Sequence, residues 1–77
     1  MVNDNILTIF GRNVQKERLH QKISQETLAE IAELDRTYIS SMERGKRNVS
    51  LLNIVKVAKA LSIPPSQLFE GLRGVDE

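Results

Sequence analysis

Arg36, Thr37, Tyr38, Ser40, Ser41 and Arg44 fall within one short run, RTYISSMER, and Lys46, Arg47 and Asn48 follow it directly. A guanidinium is a planar fork of donors that can engage two acceptors at once, on a phosphate or on the edge of a base. Hydroxyls and amides add shorter-range bonds of either sense. Ile39 and Met42, three residues apart, would share a buried face of a helix and leave the polar groups pointing elsewhere. The chemistry on offer is recognition rather than bond-making. The single histidine, His20, has no evident acid or nucleophile partner, and neither a phosphate-cradling glycine loop nor metal-ligand spacing is present. With no cysteine in the chain, disulfides and thiolate metal sites are excluded. The expectation is a protein that is not an enzyme and uses no cofactor or metal.

Charge supports an anionic partner. The chain of 77 residues carries a net +1, but Arg36, Arg44, Lys46, Arg47, Lys56 and Lys59 face only Glu43 within their segment, a local +5. The rest of the chain holds five bases against nine acids, or −4. Such asymmetry suits one face meeting a polyanion, although ordinary solvated lysines and arginines would give the same tally. No apolar run is long enough to span a bilayer, and the N-terminus lacks the pattern of a signal peptide. A cytoplasmic protein without a membrane partner is the expectation.

These residues need elements to position them, and the apolar periodicity predicts five helices in one domain, residues 1–77. The first runs from about Asn5 to His20, with Ile6, Leu7, Phe10 and Val14 inward and Asn3 or Asp4 as a cap. Ser24 caps a second, Gln25 to Ala32, whose apolar face is Leu28, Ala29, Ile31 and Ala32. Glu33 and Leu34 form a tight turn, and Asp35 caps a third helix, Arg36 to Arg44, which Gly45 stops. Ser50 caps a fourth through Leu61, with a core stripe of Leu51, Ile54, Val57, Ala58 and Leu61. Pro65 or Ser66 opens a short fifth helix through Leu68, Phe69 and Leu72, and the tail from Gly74 to Glu77 should fray. There is no strand pattern. The fold class is all-α and compact, and the second and third helices have the short lengths and tight turn of a helix-turn-helix at about residues 25–44.

The stretch SQETLAEIAELDRTYISSMERGKRNVSLLNIVKVAKALSI resembles the Cro/C1-type, XRE-like helix-turn-helix family, which has the lambda-repressor-like fold. It is most similar to the controller proteins of bacterial restriction–modification systems, and the resemblance spans about Gly11 to Phe69. It implies a transcriptional regulator that binds double-stranded DNA. In that reading Arg36, Thr37 and Ser41 contact bases. Gln25, Arg44, Lys46, Arg47 and Asn48 meet phosphates, and Gln25 can also brace the recognition helix. Tyr38 has two roles open to it, a hydroxyl on a phosphate or a ring packed on the domain edge. Arg12 and Lys16 could flank the duplex or simply be solvated. The resemblance further implies a structural ion pair between Arg18 and Glu43. One departure stands out: Glu33 occupies a turn position usually held by glycine, where positive φ is often required.

The second half carries more apolar surface than one small core uses. Leu52, Val55, Ile63, Leu68 and Phe69 are the candidate dimer interface within residues 50–73, with closure of the protomer's own core as the other reading of Leu68 and Phe69, and the resemblance implies a twofold homodimer on a palindromic operator. RNA polymerase is a further partner, to be blocked or recruited. A phage- or antitoxin-type regulator, or a protein-interaction module of the same fold, is the alternative.

Overall fold

A computed structural model describes residues 2–72, with side chains described from residue 6 onward. The predicted fraying tail, Gly74–Glu77, lies outside the described residues, as does Arg73. Four α-helices follow in order: α1 (Val2–His20), α2 (Gln25–Ala32), α3 (Arg36–Glu43) and α4 (Leu51–Ala60). A 3-10 turn, Pro65–Phe69, comes after them. There is no strand among the described residues.

The expected fifth α-helix is therefore corrected to a 3-10 turn. Pro64 and Pro65 supply no N–H, Gln67 N bonds the Pro64 carbonyl three residues back, and Glu70 is already extended. At the other end α1 begins at Val2, so the expected caps Asn3 and Asp4 lie inside the helix. Ser24 and Ser50 cap as expected, their hydroxyls accepting from Thr27 N at 3.0 Å and Asn53 N at 3.2 Å. Asp35 holds the cap position of α3 with extended backbone, but its side chain makes no capping hydrogen bond.

Between α2 and α3 the chain turns on Glu33, at φ 60 and ψ 44. Its N–H bonds the carbonyls of Ala29 and Glu30, closing α2 in the manner glycine usually does. The left-handed geometry anticipated at this position is thus present, with glutamate carrying the steric cost. Lys22 and Ser62 make similar left-handed turns after α1 and α4.

The core joins all five elements: Phe10 and Val14 from α1, Leu28, Ala29 and Ala32 from α2, and Ile39 and Met42 from α3. Val57, Ala58 and Leu61 enter from α4 and its end, and Leu68 from the 3-10 turn. Two expectations fail. Ile31 is exposed, because the α2 face that meets the core is set by Leu28, Ala29 and Ala32. Leu51 is 74% exposed at the first residue of α4, and burial on that face begins with the half-buried Ile54.

The long α1 passes over the end of α3 at close range. A Cβ on Gly11 would overlap the backbone carbonyls of Met42 and Glu43. A Cβ on Gly45 would press on the Thr8 backbone, and Gly45 also needs its φ of 71 to turn the chain out of α3. The two glycines let backbones meet where side chains would hold them apart.

Candidate nucleic-acid interface

Helix α3 buries Ile39 and Met42 and leaves Arg36, Thr37 and Arg44 exposed. Lys46, Arg47 and Asn48 continue the exposed face through the loop that follows Gly45. The one acid of this basic segment points inward. Glu43 is only 2% exposed at its side chain and accepts two hydrogen bonds from Arg18, from Nε at 2.7 Å and from a terminal nitrogen at 3.0 Å. The remaining terminal nitrogen of Arg18 donates to the Ile23 carbonyl at 2.9 Å. Those bonds to Glu43 raise the Arg18 pKa and outweigh the opposing effect of burial. The predicted pair thus joins α1 to the end of α3. It also removes the segment's only negative charge from the surface.

Gln25 extends the brace. Its amide nitrogen donates to Glu43 Oε1 at 3.0 Å, and its carbonyl oxygen lies 3.5 Å from a terminal nitrogen of Arg36. Among the expected roles of Gln25, the brace of the recognition helix is what these contacts make. Among the described residues that long contact is the one side-chain bond of Arg36, which stands exposed at the first position of α3. This is the end of a recognition helix that approaches base edges.

Ser41 does not fit its expected place at the base edges. It is buried, because its small side chain folds back along the helix and donates to the Tyr38 carbonyl at 3.1 Å. Its oxygen also accepts from Arg47 Nε at 2.9 Å. The Arg47 guanidinium lies 4.5 Å from the centroid of the Tyr38 ring. Tyr38 packs partly against the core, one of the two roles left open above, and its ring also lies against the Arg47 guanidinium.

Several features were not legible as site residues. Gly11 is one of them, although its position inside a helical pattern is itself a signal that a neighbour needs the space. Asn13 donates to the carbonyls of Leu68 and Glu70 at 2.8 and 2.9 Å, tying the 3-10 turn to α1. Nothing in a lone helical asparagine announces that. Lys56 and Lys59, counted with the basic segment, lie apart from α3 in a shallow groove with Ile31, Ala32, Glu33 and Ala60. Glu33 lines the same groove as the two lysines. Arg12, Lys16 and His20 are exposed. No cluster of histidine and acid side chains that could hold a metal occurs among the described residues.

The proposed dimer residues divide. Leu52 is 65% exposed, Val55 and Ile63 are half-buried, and Phe69 is exposed at one edge while its ring centroid sits 5.9 Å from that of Phe10. Phe69 also borders an apolar cleft of about 150 Å³ with Ile6, Leu7, Val49, Ile54 and Leu72. Leu68 is corrected: at 1% exposure it closes the protomer's own core and has no surface to offer a partner. No helix among the described residues is long and apolar enough to cross a membrane.

A helix-turn-helix family model matches residues 14–68. The chain is 49% identical over 70 residues to the control protein C.BamHI of Bacillus amyloliquefaciens, covering 90% of this chain and 86% of that protein. Among solved structures it is similar to the restriction–modification controller protein C.AhdI from Aeromonas hydrophila. The TM-score is 0.81 and the identity 51%, over 82% of this chain and 96% of that one. It is also similar to the controller protein C.Esp1396I, solved as a tetramer in complex with its natural 35 base-pair operator. That match has a TM-score of 0.79 and 36% identity, over 87% and 88% of the two chains.

Proposed function

The chain belongs to the helix-turn-helix family, among the controller proteins of restriction–modification systems, and from that premise we propose that it is a sequence-specific transcriptional regulator. It binds a palindromic operator in double-stranded DNA as a homodimer and controls restriction–modification genes. The carrying observation is the sorting of charge on α3 and its loop: Glu43 is sequestered by Arg18, while Arg36, Arg44, Lys46 and Arg47 are exposed. A surface stripped of its acid and fitted with arginines suits a phosphate backbone at every point and a base edge at one.

In this reading Arg36 engages a guanine through O6 and N7 together, and Thr37, one residue on, meets a neighbouring base or a thymine methyl. Arg44, Lys46, Arg47 and Asn48 grip phosphates on either side of the groove. Gln25 serves as brace and, by the amide hydrogen left free, as anchor. Leu52, Val55, Ile63 and Phe69 supply the twofold contact. The dimer works in the cytoplasm beside its promoter, where it blocks or recruits RNA polymerase. The protein performs no catalysis.

Selection of bound duplexes from a random pool tests this directly. The expected product is a two-fold repeat with half-sites about 10–10.5 base pairs apart, centre to centre. Its affinity should fall with salt at a log–log slope of about −0.9 for each phosphate engaged. Absence of enrichment, or binding indifferent to salt, would overturn the proposal.

A further inference from the structure

The loop after α3 places Arg47 on exposed backbone with no helix of its own, yet its guanidinium is held from two directions. Nε donates to Ser41 Oγ at 2.9 Å. The hydrogen of that hydroxyl is committed to the Tyr38 carbonyl at 3.1 Å, so Ser41 can meet Arg47 only as an acceptor. The planar head also lies over the Tyr38 ring, 4.5 Å from its centroid. One edge and one face of the guanidinium are thus occupied, while both terminal nitrogens are left for a ligand. A buried serine and a half-buried tyrosine, both on the recognition helix, aim an arginine that belongs to the next loop.

We propose that Ser41 and Tyr38 are positioning residues that hold Arg47 in its phosphate-gripping pose before DNA arrives. The proposal rests on the reading of Arg47 as a phosphate contact. A long side chain ordered only on binding gives up its rotamer freedom at that moment, and one already ordered has given it up in folding. Arg47 therefore acts as a fixed reference between helix and backbone. Ser41, expected at the bases, would shape affinity without touching DNA. The clamp also couples the loop to α3: a shift of Arg47 along a phosphate would pull on the Ser41 hydroxyl and the Tyr38 ring together.

The test has two arms. In the free protein, nitrogen-15 NMR should find the Arg47 Nε–Hε group rigid and slow to exchange, unlike that of exposed Arg12. Ser41→Ala should release it, and Ser41→Thr, which keeps the hydroxyl, should restore it. On a duplex selected by the wild-type protein, Ser41→Ala should weaken binding by roughly 2- to 12-fold per protomer, the freedom of one arginine. The salt slope should be unchanged, because the phosphate contact itself survives. In an Arg47→Ala background the same substitution should have no further effect, which a general loss of structure could not produce. Tyr38→Leu should behave like Ser41→Ala, and Tyr38→Phe should leave the Arg47 signal rigid. An Arg47 signal as mobile as that of Arg12 in the wild-type protein would overturn the clamp, as would an equal loss with and without Arg47. If the wild-type protein bound no duplex at all, the DNA reading would fall, and the NMR arm would still decide the clamp.

Discussion

Arg18→Ala would strand Glu43 in the interior. The substitution removes the two hydrogen bonds at 2.7 and 3.0 Å, leaving that carboxylate with only the Gln25 amide as a side-chain donor. It also leaves the Ile23 carbonyl without the guanidinium. With side-chain exposures of 9% and 2%, solvent screening does little to soften the loss. Breaking a buried pair by removing one partner costs about 3–5 kcal/mol. A chain of 77 residues has a total stability of about 4–12 kcal/mol at 0.05–0.15 kcal/mol per residue, so the change removes a large share of it. The melting temperature should fall by about 12–40 °C, at 4–8 °C per kcal/mol for a domain this size. Thermal unfolding followed by circular dichroism would measure it, with protomer concentration held fixed because a dimer links stability to association. The double variant Arg18→Met with Glu43→Leu should recover most of the loss, since apolar residues of similar volume often replace such a pair without penalty. Because the pair raises the Arg18 pKa, its contribution is complete below the unfolded-state value and is lost only as pH rises through the folded one. It should therefore persist through the alkaline range used for such melts. A fall of less than about 4 °C in the Arg18→Ala variant would refute the reasoning, since it would place the pair below about 1 kcal/mol.

Four further substitutions have definite outcomes. Gly11→Ala improves helix propensity by about 1 kcal/mol, but its Cβ meets the Met42 and Glu43 carbonyls, so the sign should reverse to a loss of about 1–3 kcal/mol in a thermal melt. Arg36→Ala should reduce the preference for the selected duplex over random sequence by about 5- to 150-fold, equivalent to 1–3 kcal/mol, in a competition assay while leaving the melting temperature in place. Leu52→Glu puts a charge on the most exposed member of the proposed dimer surface; sedimentation across a concentration series should show monomer where the parent protein is dimeric. Glu33→Gly relieves a left-handed cost of about 1–2 kcal/mol and restores about 0.4–1 kcal/mol of unfolded-chain entropy, so the variant should melt a few degrees higher.

The periodic parts of the fold were legible because burial and spacing agree there. Leu28 with Ala32, Ile39 with Met42 and Val57 with Leu61 all face inward as spaced. The failures sit at a helix end or where a turn interrupts the period. Leu51 lies on the right face of α4, but at the first residue of the helix it stays exposed while Ile54, three residues on, packs against the core. Leu68 looked spare because the 3-10 turn has no 3.6-residue period from which to read a buried side, and Asn13 swings that turn inward through its backbone. The ion pair came from family resemblance rather than from spacing, since Arg18 and Glu43 are 25 residues apart and on different helices. Ser41 was misplaced for a different reason. Helical position puts it between the core face and the outer face, and only the hydroxyl's bonds to Tyr38 and Arg47 decide that it turns inward.

That placement reflects a constraint on any helix whose outer surface is given to a ligand. α3 has eight residues, and only Ile39 and Met42 are fully buried apolar side chains. More apolar residues on α3 would add burial but would occupy the positions of Arg36, Thr37 and Arg44. The helix is also held by groups that leave the outer face polar: Glu43 to Arg18 and Gln25, Ser41 to the Tyr38 carbonyl, and the bare backbone of Gly11 against the last carbonyls. Each of these bonds fixes direction as well as adding stability, which an apolar contact does poorly. A recognition helix held by polar braces at its C-terminal end keeps its N-terminal residues at a defined angle while their side chains stay free. The same braces that compensate for a small apolar face therefore set where Arg36 can reach.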